Sequence, residues 1–406
     1  GSYSGYNADY ADSCVIIGSF SGRNADNSLN SVMIGNNCGY NNNGESNVFI
    51  GNYSGYSNTS GDNNVFLGYF AGYSNTASNN VFLGNEAGRT NSSGYQNSFI
   101  GYRAGYSTTT GYSNTAIGPD ALYTNSTGIR NVAIGPNTLT SNTIGSYNVA
   151  IGYNAFDANT EGNYCVAIGY NALSSTTKVI DNTAIGNRSM ENTTTGTLNV
   201  ALGGSTLEQN LSGSHNTAVG GGVLREGTAG NYNSAYGSQS GWYSDGSNNA
   251  YYGYRSGFNS DGSNNAFYGY QTGYATTASG VVFIGYQAGR YNTSGSSSVF
   301  VGYQAGLNNT TGYRNSFFGY QAGLNNTTGI QNTAIGRSAL SSNQTSNYLT
   351  AIGEYALTNN TSGADNTAVG NNTLSSNTSG NYNVSTGSSA LENNSTGWYN
   401  TAFGIA

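Results

Sequence analysis

Side chains of the kinds that carry out catalysis are scarce and scattered in this sequence. Its 406 residues include one histidine, three cysteines, and 11 basic and 18 acidic residues, so that only 7% of the chain is charged. His215 has no cysteine or carboxylate beside it, and Cys14, Cys38 and Cys165 lack metal-ligand spacing. Catalysis requires convergent acid, base or nucleophilic groups. We therefore expect no enzyme, no catalytic residue and no cofactor, with the histidine in a surface turn and the thiols used for packing.

A weak metal site is a first candidate for site chemistry. Asp245 and Asp261 each begin an Asp-Gly-Ser-Asn segment, and the two segments lie at the same phase of a sequence repeat described below. Two stacked carboxylates are candidate ligands for calcium, whereas an ordinary Asp-Gly turn explains the same residues. The turn is the favoured interpretation.

Asparagine-linked glycosylation is a second candidate chemistry. Many segments match Asn-x-Ser/Thr, and eleven of them fall at a single phase of the same repeat. They predict either a stripe of glycans on a secreted rod or a sequence suited to turns. The candidate residues are Asn58, Asn91, Asn125, Asn210, Asn292, Asn309, Asn326, Asn343, Asn360, Asn377 and Asn394.

Tyrosine recurs at two further phases of the repeat and forms predicted surface columns. Such columns either stiffen a rod by stacking or offer a platform for sugar rings, and the structural role is favoured. One column contains Tyr254, Tyr270, Tyr286, Tyr303 and Tyr320, and the other begins with Tyr40, Tyr56 and Tyr73.

The charge pattern narrows the range of partners. The net charge is −7 and there is no cluster of lysine or arginine, so nucleic acid is not an expected partner. No apolar run approaches the roughly 20 residues of a membrane helix, so membrane insertion is not expected either.

A short repeat organises the whole chain. Its marker is Asn-x-x-(Ile/Leu/Val)-Gly, and its terminal glycine recurs from Gly18 to Gly404 at spacings of seventeen or, less often, sixteen positions. This unit is too short for helical repeats or propeller blades. It suits one coil of a parallel β-solenoid, whose strands stack about 4.8 Å apart. We predict an all-β fold in which residues 1–406 form one continuous β-solenoid (β-roll or β-helix) of about two dozen coils.

Counted from the repeat glycine as position 0, each coil has a predicted internal layout. Positions −4 to −1 read as a β-branched strand, and position 0 predicts a corner with positive φ or close backbone approach. Positions +3 to +5 suggest a second short strand, and positions +7 to +10 are rich in turn residues. Asparagine at −4, present in 18 of the 24 coils, predicts a hydrogen-bonded ladder, with local turn bonding as the alternative.

Residue volumes at positions −2 and +4 are coupled. A large residue at −2 accompanies glycine at +4, and a small one accompanies a large residue, in 22 of 23 coils. The exception is Ala235 with Gly241, where we expect Tyr236 and Trp242 to fill the space. This pattern predicts that the two positions share one pocket. Examples are Phe49 with Gly55, Phe66 with Gly72, and Ala116 with Leu122.

The strand is often apolar at every position, as in Val48-Phe49-Ile50. A strand buried on one face should alternate, so the second face needs a cover. We expect a homo-oligomer, most simply a trimer with a shared axis.

Parts of the repeat resemble known sequences. Residues 148–155, Asn-Val-Ala-Ile-Gly-Tyr-Asn-Ala, resemble the head repeats of trimeric autotransporter adhesins, which form a left-handed parallel β-roll with three chains side by side and have a shorter unit. Residues 319–336 resemble the Asn-Thr-Ala-Ile-Gly-Tyr-Gln-Ala-Leu arrays of tail-fibre-like and large surface proteins. The resemblance implies a fibrous protein outside the cell.

These features together predict an extracellular structural fibre or adhesin shaft, at a cell or virion surface, that forms an elongated filament and carries glycans. The alternative is a tail-fibre-like protein that binds a receptor or a carbohydrate ligand, and an ice-binding solenoid is a remote third. The chain begins and ends within the repeat without a capping segment, so we expect either a fragment of a longer fibre or end-to-end stacking of subunits.

Overall fold

The computed structural model describes residues 1–8 and 11–405. The described residues contain short β-strands joined by turns and bends, and no helix. Contacts divide the chain into two compact units, residues 1–205 and 206–406.

In its described residues the first unit contains twelve parallel three-residue strands, and within the unit each strand pairs with the strand of the next coil. These strands, β1 to β12, are Val15–Ile17, Val32–Ile34, Val48–Ile50, Val65–Leu67, Val81–Leu83, Ser98–Ile100, Thr115–Ile117, Val132–Ile134, Val149–Ile151, Val166–Ile168, Thr183–Ile185 and Val200–Leu202.

The second unit contains twelve equivalent strands and two additional two-residue strands that pair with each other. The strands β13 to β26 are Thr217–Val219, Ser234–Tyr236, Ala250–Tyr252, Asn259–Ser260, Ala266–Tyr268, Ala275–Thr276, Val282–Ile284, Val299–Val301, Ser316–Phe318, Thr333–Ile335, Thr350–Ile352, Thr367–Val369, Val384–Thr386 and Thr401–Phe403.

The strand register is that of a parallel β-solenoid. Val132 pairs with Val149, and Ala250 pairs with Ala266, so that each residue lies beside the residue at the same phase of the next repeat. The fold class and the coil length predicted from the sequence are therefore confirmed. The continuity of one array over residues 1–406 stays a prediction.

The repeat glycine fills a position that no other residue can occupy without strain. Gly336 has a φ of +137°, and a Cβ atom built on it would collide with the carbonyl oxygen of Gly353 in the next coil. Both expectations for this position, positive φ and close backbone approach, are confirmed.

The predicted second strand at positions +3 to +5 is wrong. The backbone still bonds from coil to coil there, since the Leu139 N–H donates to the Ala155 carbonyl at 3.1 Å. Its conformation is not extended, however, because Asn137 and Leu139 have φ values of +54° and +50°. These left-handed residues turn the chain sharply within a small coil.

The interior is packed by the coupled positions −2 and +4. A Cβ atom on Gly323 would lie 2.5 Å from ring carbons of Phe317 in the same coil, and Phe317 stacks on Phe300 with ring centroids 4.9 Å apart. Where −2 is alanine, a leucine at +4, such as Leu340, is fully buried instead. The predicted shared pocket is confirmed.

The exceptional coil is filled differently from our expectation. Around Gly241, the nearest side chains to an added Cβ are Leu224 of the preceding coil, at 2.6 Å, and Tyr251 of the following coil, at 2.9 Å. Tyr236 is instead 36% exposed. Neighbouring coils therefore supply the missing volume.

Candidate functional site

An apolar stripe runs along each unit on the outer side of its three-residue strands. The residue at −2 points inward, whereas those at −3 and −1 are half-buried or exposed: Ala116 is 0% exposed and Ile117 is 37% exposed. We call the side chains at −3 and −1 the outer stripe. None of them is charged in any of the twenty-four strands. The residue at −1 is apolar in all but one of these strands, whereas the residue at −3 is Ser or Thr in ten of them. The expectation that both strand faces are apolar is therefore met in part, and in a single chain the outer face meets solvent.

The predicted tyrosine columns stack on the surface. Adjacent rings from Tyr254 to Tyr320 have centroids 5.1 to 5.4 Å apart and planes within 23° of each other. The five side chains are 39% to 48% exposed. Tyr56 stacks between Tyr40 and Tyr73 at 5.0 and 5.1 Å, and this column is half-buried. Desolvation raises the pKa of Tyr56, with neighbouring tyrosines adding to the shift.

The predicted glycosylation stripe is not on the surface. Ten of the eleven candidate asparagines are at most 2% exposed, and Asn394 is half-buried. Their amides form a ladder in the interior: Asn326 Nδ2 donates to Asn309 Oδ1 at 2.6 Å and to the Gly329 carbonyl at 3.0 Å. The folded solenoid therefore offers no acceptor nitrogen at the ten buried positions, and a glycan coat is not proposed at these asparagines.

The asparagines at −4 form a ladder of another kind. Asn97 Oδ1 accepts the backbone N–H of Asn114 in the next coil at 2.9 Å, and Asn97 Nδ2 donates to the Gly111 carbonyl at 2.9 Å. The predicted ladder thus exists, but it bonds side chain to backbone between coils. The amide-to-amide ladder runs at +7, where the sequence suggests an exposed turn.

The two candidate aspartates lie on adjacent coils, where the Asp245 N–H donates to Asp261 Oδ1 at 3.4 Å. Asp245 and Asp261 are exposed, and Asp245 Oδ1 accepts the Thr228 N–H at 2.6 Å. The described residues contain no cluster of three His, Cys, Asp or Glu side chains able to hold a metal. This favours the turn interpretation of the two aspartates. His215 is exposed and stacks on Tyr232 with centroids 4.7 Å apart.

The three cysteines are free. Burial raises the pKa of the Cys38 thiol to about 12 and that of Cys165 to about 12, and Cys14 is half-buried. Protonated buried thiols are poor nucleophiles, so the two buried cysteines serve as small packing groups, as predicted.

A groove in the second unit escaped the sequence analysis. It lies over three consecutive coils, beginning at Gly237, Gly253 and Gly269, each of which is one residue shorter than the usual coil. The missing residue falls in the turn after position +7, and two of these coils form the additional strand pair Asn259–Ser260 and Ala275–Thr276 at positions +6 and +7, immediately before that turn. The run of short coils is the sequence signal that could have located it.

Comparison with known proteins does not assign the chain to a family. The chain matches no model of a protein family, and no curated protein matches it significantly. In the part of the chain that the structure describes, no helix has the length and apolar character needed to cross a membrane.

Proposed function

We propose that the protein is an extracellular structural fibre or adhesin shaft, built by lateral association of copies of this chain. The observation that carries the proposal is the outer stripe. The largest apolar patch of a typical monomer covers about 300 to 600 Å² and is often functional, and no side chain of the outer stripe carries a charge that would oppose association.

The size of the stripe supports an interface between copies. Twelve strands at about 4.8 Å spacing and three residues at about 3.3 Å give roughly 50 by 10 Å, or about 500 Å² in each unit. Two units offer about 1,000 Å² for each chain by the same estimate. In a trimer this area is divided between two neighbours, so each contact buries about 1,000 Å² in total, which is the threshold for a specific interface. We propose a trimer because three solenoids around one axis cover every stripe.

The interior supports a mechanical rather than a ligand-binding role for the shaft. Two asparagine ladders cross-link successive coils, and stacked Phe and Tyr rings follow the same direction. Buried amides that keep their partners favour one register, so the coils resist sliding and stretching.

The oligomeric state tests the proposal. We expect light scattering to give about three times the 42.0 kDa mass of one chain, and electron microscopy to show narrow rods or fibres. Ile117→Lys should shift the protein toward monomer, because it places a charge in the outer stripe. Ile144→Lys is the matched control, since Ile144 is 52% exposed in a turn. A mass of 42.0 kDa, that of a single chain, for the unmodified soluble protein would overturn the proposal.

A fibre that binds a receptor or a carbohydrate is the second candidate, and the exposed tyrosine column from Tyr254 to Tyr320 favours it. Ice binding ranks last, because the turn threonines are engaged along the stack: Thr310 Oγ1 donates to the Thr327 carbonyl at 2.9 Å.

A further inference from the structure

We propose that the groove over the three short coils of the second unit binds a neutral oligosaccharide. This inference concerns a site separate from the outer stripe, and it holds whether or not the chain builds a fibre.

The groove has an aromatic side. A space of about 430 Å³ is lined by Tyr243, Phe258, Asn259, Tyr274 and Ala275. This volume lies within the roughly 300 to 1,000 Å³ typical of small-molecule sites. The side chain of Ala275 is a single methyl group, and together with the missing turn residue it leaves the floor open.

Two of the three rings stack in this wall, and the third lies across them. Phe258 and Tyr274 stack with centroids 5.0 Å apart and planes at 5°. Tyr243 stands at 82° to Phe258, with centroids 5.6 Å apart, and is 49% exposed. It therefore stays outside the stack and keeps ring surface for a ligand. The C–H face of a pyranose carries partial positive charge, which matches the negative face of an aromatic ring.

The groove also has a polar side. An adjoining space of about 220 Å³ shares Asn259 and Ala275 and is lined further by Asp261, Thr276, Thr277 and Thr293. Asp261 and Thr277 are exposed. The Asp261 carboxylate and the Asn259 amide offer acceptors and a donor to hydroxyl groups of a ligand. The Thr277 hydroxyl donates to the Thr293 carbonyl at 3.1 Å, so it offers a ligand only its acceptor lone pair.

The charges around the groove favour a neutral ligand. The guanidinium carbon of Arg255 lies 5.2 Å from the Phe258 ring centroid, and that of Arg290 lies 5.7 Å from the Tyr274 centroid. These cations cover Phe258 and Tyr274 and repel a cationic ligand, so the ring of Tyr243 is the aromatic surface left for a sugar. Asp261 lines the groove itself and disfavours an anionic one. A sugar without charge, apolar on one face and rich in hydroxyls at its edge, meets both conditions.

The test is titration calorimetry on the full chain with cellohexaose, xylohexaose, mannohexaose and maltohexaose as neutral probes. Hexagalacturonate is the anionic comparison and chitosan hexamer the cationic one. We expect at least one neutral probe to bind with a Kd below about 1 mM, which corresponds to about −4 kcal/mol. No binding of any neutral probe, or binding of the charged probes alone, would overturn the inference.

Three variants locate the site. Ala275→Tyr fills the groove, Tyr243→Ala removes exposed ring surface, and Asp261→Asn removes the charge with little change in shape. We expect the first two to weaken binding at least roughly tenfold. Asp261→Asn leaves the apolar side intact and should weaken binding less, because an amide replaces one carboxylate acceptor. Tyr303→Ala is the matched control, since Tyr303 is 42% exposed in a column away from the groove.

The variants also decide between this groove and the tyrosine column. If Tyr303→Ala weakens binding as much as Ala275→Tyr does, the ligand lies on the column and the inference is wrong. The mass from light scattering on the same sample reports the oligomeric state separately, so a monomer that binds sugar would refute the fibre and keep the groove.

Discussion

Exchanging the residues at positions −2 and +4 of one coil gives the sharpest prediction about the interior. The coil of Gly319 contains Phe317 and Gly323, whereas the next coil contains Ala334 and Leu340. The double substitution Phe317→Ala with Gly323→Leu should convert the first type of coil into the second. The chain already changes from the Phe–Gly pair to the Ala–Leu pair between these two coils, so the double substitution only moves this change one coil earlier.

The two single substitutions should each be costly. Phe317 is 1% exposed, and a buried Phe→Ala change costs about 3 to 5 kcal/mol. Gly323→Leu places a Cβ atom 2.5 Å from the Phe317 ring, which adds overpacking of about 1 to 3 kcal/mol. A leucine held in the left-handed backbone conformation of Gly323, with its φ of +59°, adds a further cost of about 1 to 2 kcal/mol.

The double variant should recover most of this loss. Leu340 is buried at a φ of +56° in the next coil, so the left-handed leucine is tolerated once the ring is absent. We expect the double variant to lose about 2 to 3 kcal/mol against about 5 to 10 for the sum of the single changes. The coupling is therefore about 2 kcal/mol or more, toward the upper end of measured values.

Hydrogen exchange measured by mass spectrometry on peptides within residues 313–340 is the suitable assay, because a repeat array does not unfold in one step. Each 1.4 kcal/mol appears as about a tenfold change in exchange rate. Single effects that add to within about 0.5 kcal/mol would refute the shared pocket.

Three other perturbations test the ladders, the corners and the buried tyrosine. Asn326→Asp should destabilise its coil by about 3 kcal/mol or more in hydrogen exchange, since a carboxylate would face two buried acceptors. Asn325→Asp is the control and should be nearly neutral in the same measurement, because Asn325 Oδ1 only accepts a bond, from Asn308. Gly336→Ala should prevent normal coil stacking, whereas Gly221→Ala, with no atom within 4 Å of an added Cβ, should leave thermal stability unchanged. Burial raises the pKa of Tyr251 from 10.0 to about 12, so the unfolded chain loses this proton at a lower pH than the folded chain. The free energy of unfolding should therefore fall by up to about 3 kcal/mol as the pH rises above 10. Tyr251→Phe should flatten that part of a pH titration followed by circular dichroism.

The position of the strands and corners followed from periodicity because each coil repeats the same steric problem. The Gly353 carbonyl lies where a side chain on Gly336 would begin. Only glycine fits there, and the same close approach explains why glycine recurs at this position of the repeat. Phe317 and Gly323 vary together because one small interior holds both. Such constraints are local or act between adjacent coils, and a single sequence with many coils samples them repeatedly.

The direction of a side chain in irregular backbone could not be predicted in the same way. Asn326 lies in an Asn-Thr-Thr-Gly segment that suits an exposed turn, yet its amide points inward and bonds to Asn309 and Gly329. Left-handed residues such as Leu340 (φ +56°) reverse the alternation on which strand-based reasoning relies.

The sequence by itself determined the solenoid, its coil length and the packing pairs, because these are repeated contacts between residues at fixed separations. Only the tertiary structure decided which polar side chains face inward and where the regular surface is interrupted. The groove arises from the joint effect of three short coils, an alanine at position 275 and a tyrosine turned across a ring stack. No one of these features creates the space alone, because a groove is a relation among several side chains after folding and not a property of any single coil.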